Sequence, residues 1–146
     1  MESNVLGYIG AGLVMGISSL GAAIAMGICG SATIGAWKRC FKANKPAPMT
    51  LLAFVGFPLT EVFYGFILMG QMLTAIQNGT SPGLLLAIGI ASGVAIAFTA
   101  IAEGWAGAAA ADALTDTGKG FASYIAVVGI CETVALFVMV LSMISL

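Results

Sequence analysis

The sequence predicts an all-α integral membrane protein: four transmembrane helices, arranged as two tandem-duplicated hairpins, assembling into a homo-oligomeric ring. Three observations predict it. The 146 residues are 60% hydrophobic and 8% charged, against about 25% charged residues in an ordinary soluble domain, so a water-facing surface cannot be built. Long stretches carry no charge at all: Val5 to Trp37, Pro46 to Thr60, and Val62 to Ala102. Small residues also recur at matched places in the two halves of the chain. A formal net charge of −1 offers nucleic acid nothing to bind, and a soluble enzyme is excluded.

A bilayer core takes about 20 apolar residues per helix, and unbroken apolar runs argue against the alternating strands of a barrel. Spans are expected near 5–37, 47–77, 83–112 and 121–145. The first two are separated by Lys38-Arg39-Cys40-Phe41-Lys42-Ala43-Asn44-Lys45. Gln77 to Gly83 is a turn signal, and Asp112 to Gly120 separates the third span from the fourth. Met1-Glu2-Ser3-Asn4 lacks the basic start of a signal peptide, so the first run is expected to stay as a span. Cys29, Cys40 and Cys131 have no metal or disulfide spacing and read as small packing residues. Trp37, Trp105, Tyr8 and Tyr124 read as interfacial or packing aromatics. Four of the five basic residues lie in the first loop and Lys119 in the third; the positive-inside rule places both loops in the cytoplasm.

The halves repeat. A shift of 77 maps Gly12, Gly16, Gly27 and Gly30 onto Gly89, Gly93, Gly104 and Gly107, and Ala23 and Ala25 onto Ala100 and Ala102. In the even spans a shift of 71 maps Glu61 onto Glu132 and Phe66 onto Phe137. The first hairpin is residues 1–79 and the second 80–146. A two-helix repeat leaves both copies pointing the same way through the membrane, unlike an inverted repeat. Gly12, Gly16, Ala23, Gly27, Ser31 and Gly35 form a stripe on the first span, and Gly89, Gly93, Ala100, Gly104 and Ala108 one on the third. Such stripes let backbones approach closely in lipid. Bulky Phe54, Phe57, Phe63, Tyr64, Phe66 and Phe137 lie on the even spans. Thin inner helices and thick outer ones suit the curved wall of a closed ring.

The chemistry sits on three acids, Glu61, Glu103 and Glu132, each well inside an apolar span. An ionised acid at the bilayer centre costs about 2.5–3.5 kcal/mol on insertion scales, so an intramembrane acid is a functional residue by default. Glu103 and Glu132 stand 13 and 16 residues from Asp116, which is roughly 20–24 Å of helix for both. No Lys, Arg or His lies within a span, so the compensating charge must arrive as a proton or a metal cation. Pro58 lacks an N–H and frees the Phe54 carbonyl, so the second span can bend there. Phe57, Thr60, Glu61 and Tyr64 fall on one helical face and offer a carbonyl, a hydroxyl, a carboxylate and a phenol; Thr133 follows Glu132. Hard alkali cations want several oxygen ligands, and this surplus of oxygens favours Na+ over H+.

The tandem hairpins, the Glu in the fourth span and the run Phe57-Pro58-Leu59-Thr60-Glu61-Val62-Phe63-Tyr64-Gly65 resemble the rotor-ring proteolipid of V/A-type ATPases, known as K or c. The resemblance covers essentially the whole chain. It implies a cation site between the second, third and fourth spans, with Glu132 as the essential carboxylate. Thr60 is then the hydroxyl ligand, Phe57 the backbone-carbonyl ligand, and Tyr64 the phenol that bonds the essential Glu. Glu61 and Glu103 fall where sodium-transporting members carry Gln, a departure that demands at least one extra proton. The position equivalent to Glu103 in the first hairpin is Met26, a poor ligand for a hard cation, so one ion per chain is expected. The resemblance also implies a rotary mechanism. Identical subunits form the ring, a membrane stator supplies an Arg, and the cytoplasmic loops grip a central stalk coupled to ATP hydrolysis or synthesis elsewhere. No cofactor is expected, Na+ or H+ being cargo, and no Walker phosphate loop is present in the sequence. The rival reading is a small proton-coupled multidrug or metabolite exporter, but such proteins typically carry their Glu in the first helix.

Overall fold

In the computed structural model, which describes residues 4–146, the first span is a single helix, α1 (Val5–Lys42). The second is broken into α2 (Leu51–Gly56), a 3₁₀ turn at Phe57–Leu59, and α3 (Thr60–Gln77). The third is α4 (Pro82–Thr117) and the fourth α5 (Phe121–Ile144). No strand occurs among the described residues. The reading of the N-terminus rested partly on residues 1–3, which lie outside the described part. The break falls where Pro58 has no N–H to give, and the chain tightens into 3₁₀ geometry over that one turn.

Three boundaries differ from expectation. α1 and α4 run more than a full turn past the expected ends near 37 and 112. At 1.5 Å per residue their 38 and 36 residues reach about 57 and 54 Å, far beyond a hydrocarbon core of about 30 Å. The charges at 38–42 and 112–116 therefore mark where the helices leave lipid; they do not end them. Arg39 pairs with Asp112 and, at 3.7 Å, with Asp116, tying the two overhangs together. α4 stops only at Gly118, whose φ of +66° is left-handed, with its N–H 2.8 Å from the Leu114 carbonyl. The second span begins at 51 instead of 47, because Pro46 and Pro48 hold the residues before them extended. The Trp37 indole N–H donates to the Pro48 carbonyl at 3.0 Å, so this aromatic clamps the loop.

α1 and α4 form the central pair, with α3 packed on α1 and α5 on α4. Their backbones touch at Gly10–Gly89, Gly21–Ala97 and Ala25–Gly104. A Cβ on Gly104 would come within 2.7 Å of the Ala25 Cα, so this approach requires glycine.

The small-residue stripes divide in a way the sequence did not predict. On α4, Gly89, Gly93, Ala100 and Gly104 are buried. On α1 the expected stripe is not the packed face: Gly12, Gly16, Ala23, Gly27 and Ser31 are exposed. Nothing lies within 4 Å of a Cβ built on Gly12, Gly16, Gly27 or Gly35. α1 meets α4 instead through Gly10, Val14, Gly21 and Ala25. A helix small on several faces does not announce which one its own chain uses.

Apolar bulk gathers at the two ends of the bundle. One cluster holds Val14, Leu68, Met72, Leu85 and Met139, and the other Cys29, Leu51, Phe54, Leu114 and Val128. Between them lies only a thin layer of Ala22, Ala25 and Ala100 against Val62. The outer helices expose large side chains, with Phe63 at 58%, Ile130 at 68% and Phe137 at 63%, as a surface solvated by lipid tails would.

Candidate functional site

Three helices bring the acids to that thin middle layer. Glu61 stands in the first turn of α3, just past the 3₁₀ turn; Glu103 lies on α4 and Glu132 on α5. Glu61 and Glu103 have no exposed surface, whereas Glu132 is half-buried. The Glu61 and Glu103 carboxyls are neighbours, and both lie within electrostatic reach of Glu132. Glu61 Oε1 and both carboxyl oxygens of Glu103 have no hydrogen-bond partner among the described residues.

The oxygens predicted around Glu61 are present, but they serve one another first. Thr60 Oγ1 donates to the Phe57 carbonyl at 2.8 Å and reaches Glu61 Oε2 only at 3.5 Å. That carbonyl also accepts the Thr60 backbone N–H, the bond that closes the 3₁₀ turn. Tyr64, one turn beyond Thr60 on α3, donates its phenol to Glu132 Oε1 at 2.6 Å. The predicted Tyr64–Glu132 contact is therefore formed between α3 and α5. Thr133 takes no part, since it is exposed and bonds the Ile130 carbonyl at 2.6 Å.

The predicted set thus divides into a sealed pair, Glu61 with Glu103, and a partly open acid, Glu132, held by Tyr64. No group of three His, Cys, Asp or Glu side chains among the described residues closes tightly enough to hold a metal ion by itself. All five basic residues, Lys38, Arg39, Lys42, Lys45 and Lys119, lie at or beyond the helix ends. No fixed cation therefore meets these acids among the described residues. Two ionised carboxylates cannot share a sealed apolar layer, so the pair must be neutralised by something it binds.

Sequence reading missed the layer that closes the site on its inner side. Ala22, Ala25 and Ala100 pack there against Val62, and a larger side chain would separate α1 from α4 at that level. The repeated alanines carried the signal, but nothing in their spacing said that they would lie beside acids.

Comparison with known proteins points one way. Residues 86–145 match the family described as the ATP synthase C subunit, a stretch that contains Glu103 and Glu132. Along its whole length the chain is similar to the A-type ATP synthase subunit K of Methanocaldococcus jannaschii, with 30% identity over 147 aligned positions. The alignment takes in 100% of this chain and 64% of the relative, so the chain spans a little under two thirds of that protein's length. Four apolar helices long enough to cross a bilayer, with acids at their middle, agree with this likeness to the C and K subunits of ATP synthases.

Proposed function

We propose that the chain is a rotor-ring subunit of an A-type ATP synthase or V/A-type ATPase, carrying one monovalent cation per chain across the membrane on Glu132. The observation that carries this reading is the contrast among the acids. Glu132 is the only one of the three with exposed surface, and the Tyr64 phenol aims it. An ion arriving from the lipid-facing side meets Glu132 first, while Glu61 and Glu103 stay sealed behind it and keep their protons. Loaded and neutral, the site travels with the ring through lipid. At a stator subunit an Arg, which no span of this chain supplies, displaces the cation into an aqueous path. The chain has no catalytic role of its own; identical copies form the ring. The loops at 43–50 and 118–120 face the cytoplasm, where they and the helix overhangs meet the central stalk.

Na+ is the favoured cargo, with Glu132, Glu61, Glu103, Thr60 and the Phe57 carbonyl as the oxygens available to it. The arrangement of Thr60 favours H+ as the second reading. Its hydroxyl is already spent on the Phe57 carbonyl, and a proton needs only Glu132 and its Tyr64 partner.

Carbodiimide labelling of the purified oligomer across pH tests both readings. Glu132 should be the modified residue, and millimolar Na+ should slow its modification at alkaline pH. Modification of Glu132 without Na+ protection at any pH selects H+. Failure to label Glu132 while another acid reacts would overturn the assignment.

A further inference from the structure

The two equivalent acids Glu61 and Glu132 sit on helices that bury different faces. One turn beyond Glu61, Gly65 is buried against Ser18 of α1, which has no exposed surface and donates its hydroxyl to the Met15 carbonyl at 3.0 Å. A Cβ on Gly65 would lie 2.9 Å from the Ser18 Cβ, nearer still to the Ser18 hydroxyl, and 3.3 Å from the Val14 carbonyl. Only glycine fits there. Next to the acid, Val62 packs on the layer of Ala22, Ala25 and Ala100. Two positions on α3 thus hold Glu61 against the bundle. The second hairpin has neither. The shift of 71 turns Val62 into Thr133 and Gly65 into Leu136, both exposed, Leu136 by 39%, and the shift of 77 turns Ser18 into Ala95. α5 buries Ala135, the equivalent of Tyr64, in place of Leu136.

We propose that the Gly65–Ser18 contact is the positioning element that seals Glu61 and so leaves Glu132 as the acid that exchanges ions. Gly65 touches no ion; it acts through helix spacing, which follows the side chains at the crossing. Glycine opposite serine lets α3 seat closely on α1, and close packing in lipid depends on such small residues. Glu61, in line with Gly65 on α3, is drawn in with it and loses all exposed surface. A leucine cannot enter a contact of that depth. α5 therefore turns Leu136 outward, and Glu132 stays half-buried. One residue of difference in which position is buried, Gly65 on α3 and Ala135 on α5, corresponds to about 100° around a helix of 3.6 residues per turn. The choice of carrier among the duplicated acids is thus made one turn away from them, by the size of a residue that takes no part in the chemistry.

This inference rests on the rotor-ring reading above, and the two fail separately. Carbodiimide labelling of Glu132 in the unsubstituted oligomer, with its native mass, tests that reading; labelling of Glu61, located by peptide mass mapping, tests the contact. Gly65→Ala should raise Glu61 modification by about ten-fold, because overpacking a closed contact forces it apart. Adding Ser18→Gly should return Glu61 to its unsubstituted protection, since the Val14 carbonyl at 3.3 Å is then the nearest neighbour left. Adding Ser18→Ala instead should leave Glu61 reactive, since the Cβ at 2.9 Å remains. Glu61 unlabelled in an assembled Gly65→Ala oligomer, or labelled equally whatever replaces Ser18, overturns the proposal and leaves the assignment of Glu132 standing. Where Gly65→Ala prevents assembly, Ser18→Cys supplies a milder wedge at the same contact. Glu61 modification above the unsubstituted level then supports the proposal, and none overturns it.

Discussion

Glu61 and Glu132 occupy equivalent places in the two hairpins, 71 residues apart, yet the fold treats them in opposite ways. Glu61 is sealed beside Glu103 with one carboxyl oxygen unpartnered, while Glu132 is half-open and accepts the Tyr64 phenol. The neighbours explain the difference. Under the same shift Thr60 becomes Cys131 and Tyr64 becomes Ala135, so the fourth span keeps the acid without those two polar groups, and Glu132 takes its donor from Tyr64 on the second span. Across from them, Glu103 on α4 has Met26 as its counterpart on α1. Duplication has supplied two acids, and divergence has left one sealed beside a second acid and the other half-open with a single hydrogen-bond donor. Equivalent sequence positions need not be equivalent sites.

That contrast predicts that the two glutamates fail very differently when neutralised. Glu132→Gln should cut ion-coupled transport in the reconstituted complex by about 100-fold or more, roughly 2.7 kcal/mol in barrier terms, with the oligomer intact by native mass. Glu61→Gln should leave most of the transport in place. Equal losses from both would erase the distinction. Tyr64→Phe comes next: losing one hydrogen bond to the open acid should weaken ion protection of Glu132 about ten-fold, near 1.5 kcal/mol. An unchanged protection curve would mean that Glu132 is aimed by something else.

Glu103→Gln sharpens the other side of the comparison. An amide replacing an unpartnered buried acid should raise thermal stability in detergent, by roughly 1 kcal/mol or a few degrees in midpoint. A lowered midpoint would reveal a partner that Glu103 depends on. The smallest effect should come from Arg39→Ala at the exposed ion pair with Asp112, worth at most about 1 kcal/mol. It serves to show that the differences among the acids arise inside the bundle and not at its rim.

The four spans were legible because lipid tolerates only long apolar runs, and Pro58 announced the break in the second. The overhangs were not, because leaving lipid does not end a helix and Lys and Arg form one as readily as Leu; the Arg39 pairing that keeps α1 and α4 together past the lipid joins residues 73 positions apart. At the site, the spacing of Phe57, Thr60, Glu61 and Tyr64 revealed their common face, and the family resemblance supplied the Tyr64–Glu132 partnership. Spacing could not reveal that Thr60 spends its hydroxyl on the Phe57 carbonyl, since the same hydroxyl could as well turn toward a ligand. Nor could glycine spacing say that the α4 stripe is used within the chain and the α1 stripe is left bare.

The overhang of α1 and α4 has a mechanical consequence. Both helices pass from the level of the acids to their charged tips without a joint, and the Arg39 bridge braces one against the other. A push applied at those tips is handed straight down two rigid posts to the layer holding Glu103, with little slack to absorb it. In a ring that turns as proposed, the flexing would fall on the broken second span, whose weak point at Pro58 sits two residues before Thr60.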